Sequence, residues 1–164
     1  MRRWTFAVAA LVLGVALIAQ TSAAGSSGGE TVLKFDTMVG VDAPFSGQPE
    51  NAIRGIPGAG APWRLDSVEG KLNSDGRLKI EVEGLVLVRT GLNPQAAFRG
   101  AVSCLTTDGT TVSTVNRVTE QFPATIPAGD SEINAKVSLP SPCVAPIVFV
   151  MNAGGTSWFA VTGA

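Results

Sequence analysis

From Arg77 to Val82 the chain reads RLKIEV, so Leu78, Ile80 and Val82 fall on one face of an extended strand and Arg77, Lys79 and Glu81 on the other. That strict period of two defines a half-buried strand. Asn73-Ser74-Asp75-Gly76 precedes it and separates it from RLDSVEGKL, which predicts a hairpin whose glycine takes positive φ. TTDGTT repeats the signal at Asp108-Gly109, joining FRGAVSCL to TVSTVNRVTEQF. Beyond Gly84 the strand is expected to continue into LVLV, with both faces covered or with a bulge at the glycine.

Further strands are expected at Thr31 to Val39, at SEINAKVSL with Ile133, Ala135, Val137 and Leu139 on one face, at IVFVM starting after Pro146, and at TSWFAV after the turn Asn152 to Gly155. No ten-residue window carries an amphipathic helical period. About eight strands with short Gly/Asp turns define an all-β chain, a single antiparallel β-sandwich of immunoglobulin-like or jelly-roll-like kind. An up-and-down β-barrel is the alternative.

Residues 1–24 read as a secretory signal peptide. Arg2 and Arg3 supply the positive start, Trp4 to Ala19 is apolar, and Thr21-Ser22-Ala23-Ala24 offers small residues for cleavage. The apolar run is shorter than the roughly 20 residues of a membrane-spanning helix, so no transmembrane segment is expected after cleavage. Residues 25–29 read as a flexible Gly/Ser leader, and residues 30–164 are long enough for one domain with a real core. Loss of the two arginines leaves ten basic against 13 acidic residues, and no basic run remains. That balance argues against nucleic acid as a partner.

Two cysteines in an exported chain, Cys104 and Cys143, are expected to pair. Cys104 shares the alternating face of Phe98 and Val102, where a buried structural sulfur sits. The absence of His removes Ser-His-Asp catalysis, Cys-His catalysis and His-based zinc sites together. With no Asp-x-Asp-x-Asp-Gly loop either, the sequence names no metal and no cofactor.

Between the first and second strands lies APFSGQPENAIRGIPGAGAPWRL, Ala43 to Leu65, a long Pro/Gly connection that is either a binding site or a lid. Trp63 at its end could stack on a sugar ring or anchor a partner, or fold back to plug the sandwich. Arg54 stands four residues after Glu50, and an ion pair shaping the loop is the expected use. Gly55, Gly58 and Gly60 match neither nucleotide fingerprint. Asp42 and Glu50 are the candidate carboxylate pair for glycoside hydrolysis. Arg89, Arg99 and Arg117 would form a basic face only if their strands were neighbours.

The segments IRGIPGAGAPW, DGRLKIEVEGLVLV, FRGAVSCLTTDG and PSPCVAPIVFVMNAGGTSWFAVTG together resemble a family of small exported bacterial proteins without an established activity. That resemblance implies a secreted all-β domain with a paired cysteine and adds no catalytic residue. The DGRLKIEVEGL strand pair is also similar in rhythm to CHRD-type domains, whose His-containing segment has no counterpart here. The leading expectation is a secreted or periplasmic non-enzymatic binding or structural module, with Trp63, Arg54, Glu50 and Asp42 as binding candidates. An envelope component, a protein or a small ligand would be its partner. The alternative is a carboxylate-dependent polysaccharide hydrolase using Asp42 or Glu50.

Overall fold

A computed structural model describes residues 29–163. The expected signal peptide, residues 1–24, and all of the leader but Gly29 lie outside the described residues. Those described form strands β1 (Thr31–Phe35), β2 (Met38–Gly40), β3 (Trp63–Arg64), β4 (Ser67–Asn73), β5 (Arg77–Glu83), β6 (Val86–Leu87), β7 (Ala97–Thr107), β8 (Val112–Val118), β9 (Phe122–Pro123), β10 (Ser131–Lys136), β11 (Val144–Asn152) and β12 (Trp158–Thr162). They pair into a four-stranded sheet, β1-β4-β5-β10, and a six-stranded one, β2-β12-β11-β7-β8 with β9 on β7, while β3 and β6 pair alone. All these strand pairs are antiparallel, and no sheet closes into a barrel. The all-β sandwich expected from the alternation is what forms.

The core lies between the two larger sheets. Leu72, Leu78, Ile80 and Ile133 from the smaller sheet and Val102, Cys104, Val148 and Val150 from the larger are each at most 1% exposed. Gly100 fixes which face of β7 looks inward: a methyl group there would lie 3.0–3.4 Å from Leu78, Ile133 and Ile80. Cys104 sits on this inward face and is bonded to Cys143, with their Cα atoms 5.0 Å apart.

Several strand limits differ from the sequence expectation. Thr31 to Val39 is not one strand, because a bend at Asp36-Thr37 carries the chain from the smaller sheet, where β1 pairs β4, to the larger, where β2 pairs β12. After Glu83 the chain leaves its sheet instead of running on. Gly84, at φ 65°, donates its N–H to Asp130 Oδ1, and LVLV contributes only the short β6. Strand β11 begins before Pro146, at Val144. Ala145 and Pro146 form a bulge opposite Cys104, between the pairs Val144–Leu105 and Ile147–Ser103, and a bulge has no need of the N–H that proline lacks. Asp108-Gly109 and Asn73 to Gly76 make the two hairpin turns as expected, with Gly109 at φ 93° and Gly76 at φ 85°.

Candidate functional site

The connection after β2 closes the outer face of the six-stranded sheet. Its first turn is tied by Asp42, whose carbonyl accepts the N–H groups of Phe45 and Ser46 at 2.8 and 3.0 Å and whose Oδ1 accepts that of Ala43 at 2.8 Å. Ile53 and Ile56 exchange both backbone hydrogen bonds around Arg54 and Gly55, which have φ of 53° and 78°. Two consecutive positive φ values make the tight turn that matches strand twist, and an arginine holds one of them at a steric cost.

Further on, the chain lies alongside β12. Ala59 N–H donates to the Trp158 carbonyl and Trp158 N–H to that of Pro57, both at 3.0 Å. Gly58 permits this approach, since a methyl group on it would sit 2.7 Å from the Phe45 carbonyl oxygen and from Val41 Cγ2. Beneath the connection lies the face of β7 and β11 that points away from the core. Ala101, Ser103, Phe149 and Met151 are buried there, and the Phe45 and Phe149 rings lie 5.8 and 6.2 Å from that of Trp158. The long loop is therefore a lid, built as a third layer.

Where the lid ends, a groove of ≈ 320 Å³ opens between Phe45 and Ile53 on one side and Ile147, Trp158 and Val161 on the other. Val39 and Asp42 also line it. Its volume falls at the lower end of the roughly 300–1,000 Å³ typical of small-molecule sites. Trp158 is 1% exposed, and its indole Nε1–H is buried with no acceptor. A buried donor left without a partner forfeits about 1–3 kcal/mol unless something supplies an acceptor.

The residues singled out in the sequence are dispersed. Asp42 lines the groove; Glu50 is exposed on a single 3-10 turn, Pro49–Asn51, and does not line it. Arg54 forms no ion pair with Glu50. Its Nη2 instead donates to the Ala145 carbonyl at 2.9 Å, its own carbonyl accepts from Asn116 Nδ2 at 3.0 Å, and its Nη1 is buried without a partner. Held by the tight turn, the guanidinium points to the β11 bulge.

Trp63 is 4% exposed and stacks on Phe159, the ring centres 3.9 Å apart, so it plugs the sandwich and offers no stacking surface to a sugar. Arg99 and Arg117 occupy opposite faces of their sheet, because Arg99 pairs with Met151 on the lid side and Arg117 with Val102 on the core side. Each is spent on main-chain carbonyls, Arg99 on those of Ala153 and Thr119 and Arg117 on those of Ser138 and Asn116. No basic face results.

Trp158, Phe45 and Ile147 escaped the sequence reading. The one available signal was TSWFAV, apolar on both faces, which marks a strand covered on both sides. Comparison of the chain with models of known protein families, with curated proteins and with solved structures finds no match. Among the described residues, no helix is long and apolar enough to cross a membrane.

Proposed function

We propose that this is an exported, non-enzymatic binding module that takes a small amphipathic ligand in the groove at the edge of the lid. The observation that carries the reading is the apolar lining of Phe45, Ile53, Ile147, Trp158 and Val161 with one carboxylate, Asp42, among the lining residues. An apolar ligand body would replace water along Phe45, Ile147 and Val161. A cationic or N–H-bearing head would meet the Asp42 carboxylate. The disulfide and the secretory reading of residues 1–24 support an oxidising, extracytoplasmic setting. Glu50 does not line the groove that Asp42 lines, which favours binding over carboxylate-pair hydrolysis.

The test is a calorimetric titration with alkylamines of increasing chain length and with fatty acids of matched length. Each methylene buried should contribute about 0.8 kcal/mol, a roughly fourfold gain in affinity, until the groove is full. Amines should bind more tightly than acids, and Asp42→Asn should abolish that preference. Affinity independent of chain length, or a preference that survives Asp42→Asn, would overturn the reading.

A further inference from the structure

The outer face of the four-stranded sheet is divided by charge. Along β5 the outward residues run Arg77, Lys79, then Glu81, Glu83; along β4 they run Lys71, then Glu69, in the opposite chain direction. Register brings equals together. Lys34, Lys71 and Lys79 stand directly opposite one another across β1, β4 and β5. Glu69, Glu81 and Glu132 do the same across β4, β5 and β10, and Lys136 pairs with Arg77 at the basic end. One half of the face is therefore basic and the other acidic, with the boundary running across the strands.

A face that only needed water would be wetted equally well by alternating signs. Alternation would also gain the roughly 0.2–1 kcal/mol of each opposite-charge cross-strand pair and avoid like charges set opposite each other. Among the described residues, Lys79 reaches across the boundary, to Glu81 and, at 3.8 Å, to Glu132. Lys34, Lys71 and Glu69 make no ion pair among the described residues. The arrangement forgoes local stability and leaves a strong, ordered charge pattern exposed.

The geometry points to a second copy of this chain as the occupant of that face. A two-fold axis lying along the charge boundary carries the basic half of one copy over the acidic half of the other. It sets Lys71 against Glu69 and Lys79 against Glu81, twice over, because a two-fold contact is isologous. Any other protein would have to present both halves at the same spacing; a copy does so by construction. Strands of five, seven, seven and six residues, about 3.4 Å per residue and about 4.8 Å apart, cover roughly 400 Å² per copy, or about 800 Å² in all, which places the contact among weak, transient interfaces. Charge attraction across so polar a face is also sensitive to salt, since the screening length falls from about 30 Å at 0.01 M to about 3 Å at 1 M.

The experiment is analytical ultracentrifugation of the protein as processed by its host, at low and at high salt. Wild type should move toward twice the monomer mass with rising concentration at low salt, and return to monomer at high salt. Lys71→Glu and Glu69→Lys should each be monomeric, while an equimolar mixture of the two, or the double swap in one chain, should associate again. All these positions are exposed, and circular dichroism verifies that each variant is folded. A wild type that stays monomeric at low salt, association that survives either single reversal, or a mixture that fails to associate would each overturn the proposal.

Discussion

Replacing Trp63 by alanine removes an indole that is 4% exposed and stacked on Phe159 at 3.9 Å between ring centres. An aromatic side chain buries about 150–250 Å², which at about 25 cal/mol per Å² corresponds to roughly 4–6 kcal/mol. Alanine keeps a small part of that area, and Trp→Ala changes in cores cost about 3–5 kcal/mol, so about 4 kcal/mol is the expected loss. With a urea dependence of about 1–3 kcal/mol per molar, the unfolding midpoint should fall by roughly 1.3–4 M. Trp63→Phe keeps a ring over Phe159 and should lose about half as much or less. Urea melts followed by far-ultraviolet circular dichroism, with the disulfide intact, measure both. The plug assignment fails if Trp63→Ala unfolds within about 0.5 kcal/mol of wild type, the range of a surface substitution, while ligand binding is lost.

Removing both sulfurs by Cys104→Ala with Cys143→Ala should cost up to about 4 kcal/mol, the loop-closure value for the 38 residues enclosed, and a melt matching that of the oxidised protein would refute it. Asp108 Oδ1 accepts the N–H groups of Thr111 and Thr110 at 2.8 and 2.9 Å, which hold the carboxyl below its ordinary value of 3.8. A depressed folded-state value means that its stabilising contribution is present above pH 3.8 and is lost as pH falls through the lower, folded-state value. Stability should therefore decline more steeply below about pH 4 in wild type than in Asp108→Asn; equal acid slopes would show that the hairpin turn gains nothing from the charge.

Alternation and turn chemistry made the smaller sheet legible. Leu78, Ile80 and Val82 face one way because only one side of that sheet is covered, and Gly76 and Gly109 sit where hairpin turns require positive φ. Of the two-residue strands, β3 left no trace, since two residues carry no period, and β6 and β9 were read as ends of the longer strands before them. The break between β1 and β2 was hidden because Asp36-Thr37 is not marked by glycine or proline. Cys104 and Cys143 were legible as a pair. The candidate site was legible only in part: the loop and Asp42 stood out, but the wall opposite comes from β11 and β12, about a hundred residues later in the chain. Arg54 was misread because sequence distance to Glu50 says nothing about a side chain that a tight turn directs to the Ala145 carbonyl.

The lid and the groove have one origin. Val148 to Met151 are buried without alternation, as are Trp158 to Val161. An antiparallel sheet commonly leaves one face to water, and a strand buried on both faces needs a second cover. Here that cover is a connection too short of apolar residues to form a sheet of its own. It must lie flat against the strands, and Gly58 is what lets it touch β12. Phe45, Ile53, Ile56 and Ala59 pack against the core, and at the end bounded by Val39, Ile147 and Val161 the lid contributes only Ala43 beside Phe45 and Ile53 to the lining. The groove is the portion of a two-sided core that the lid leaves open. A ligand bound there would complete the third layer, and its affinity should therefore depend on Gly58 and Phe45, which position the lid, as well as on the residues it touches.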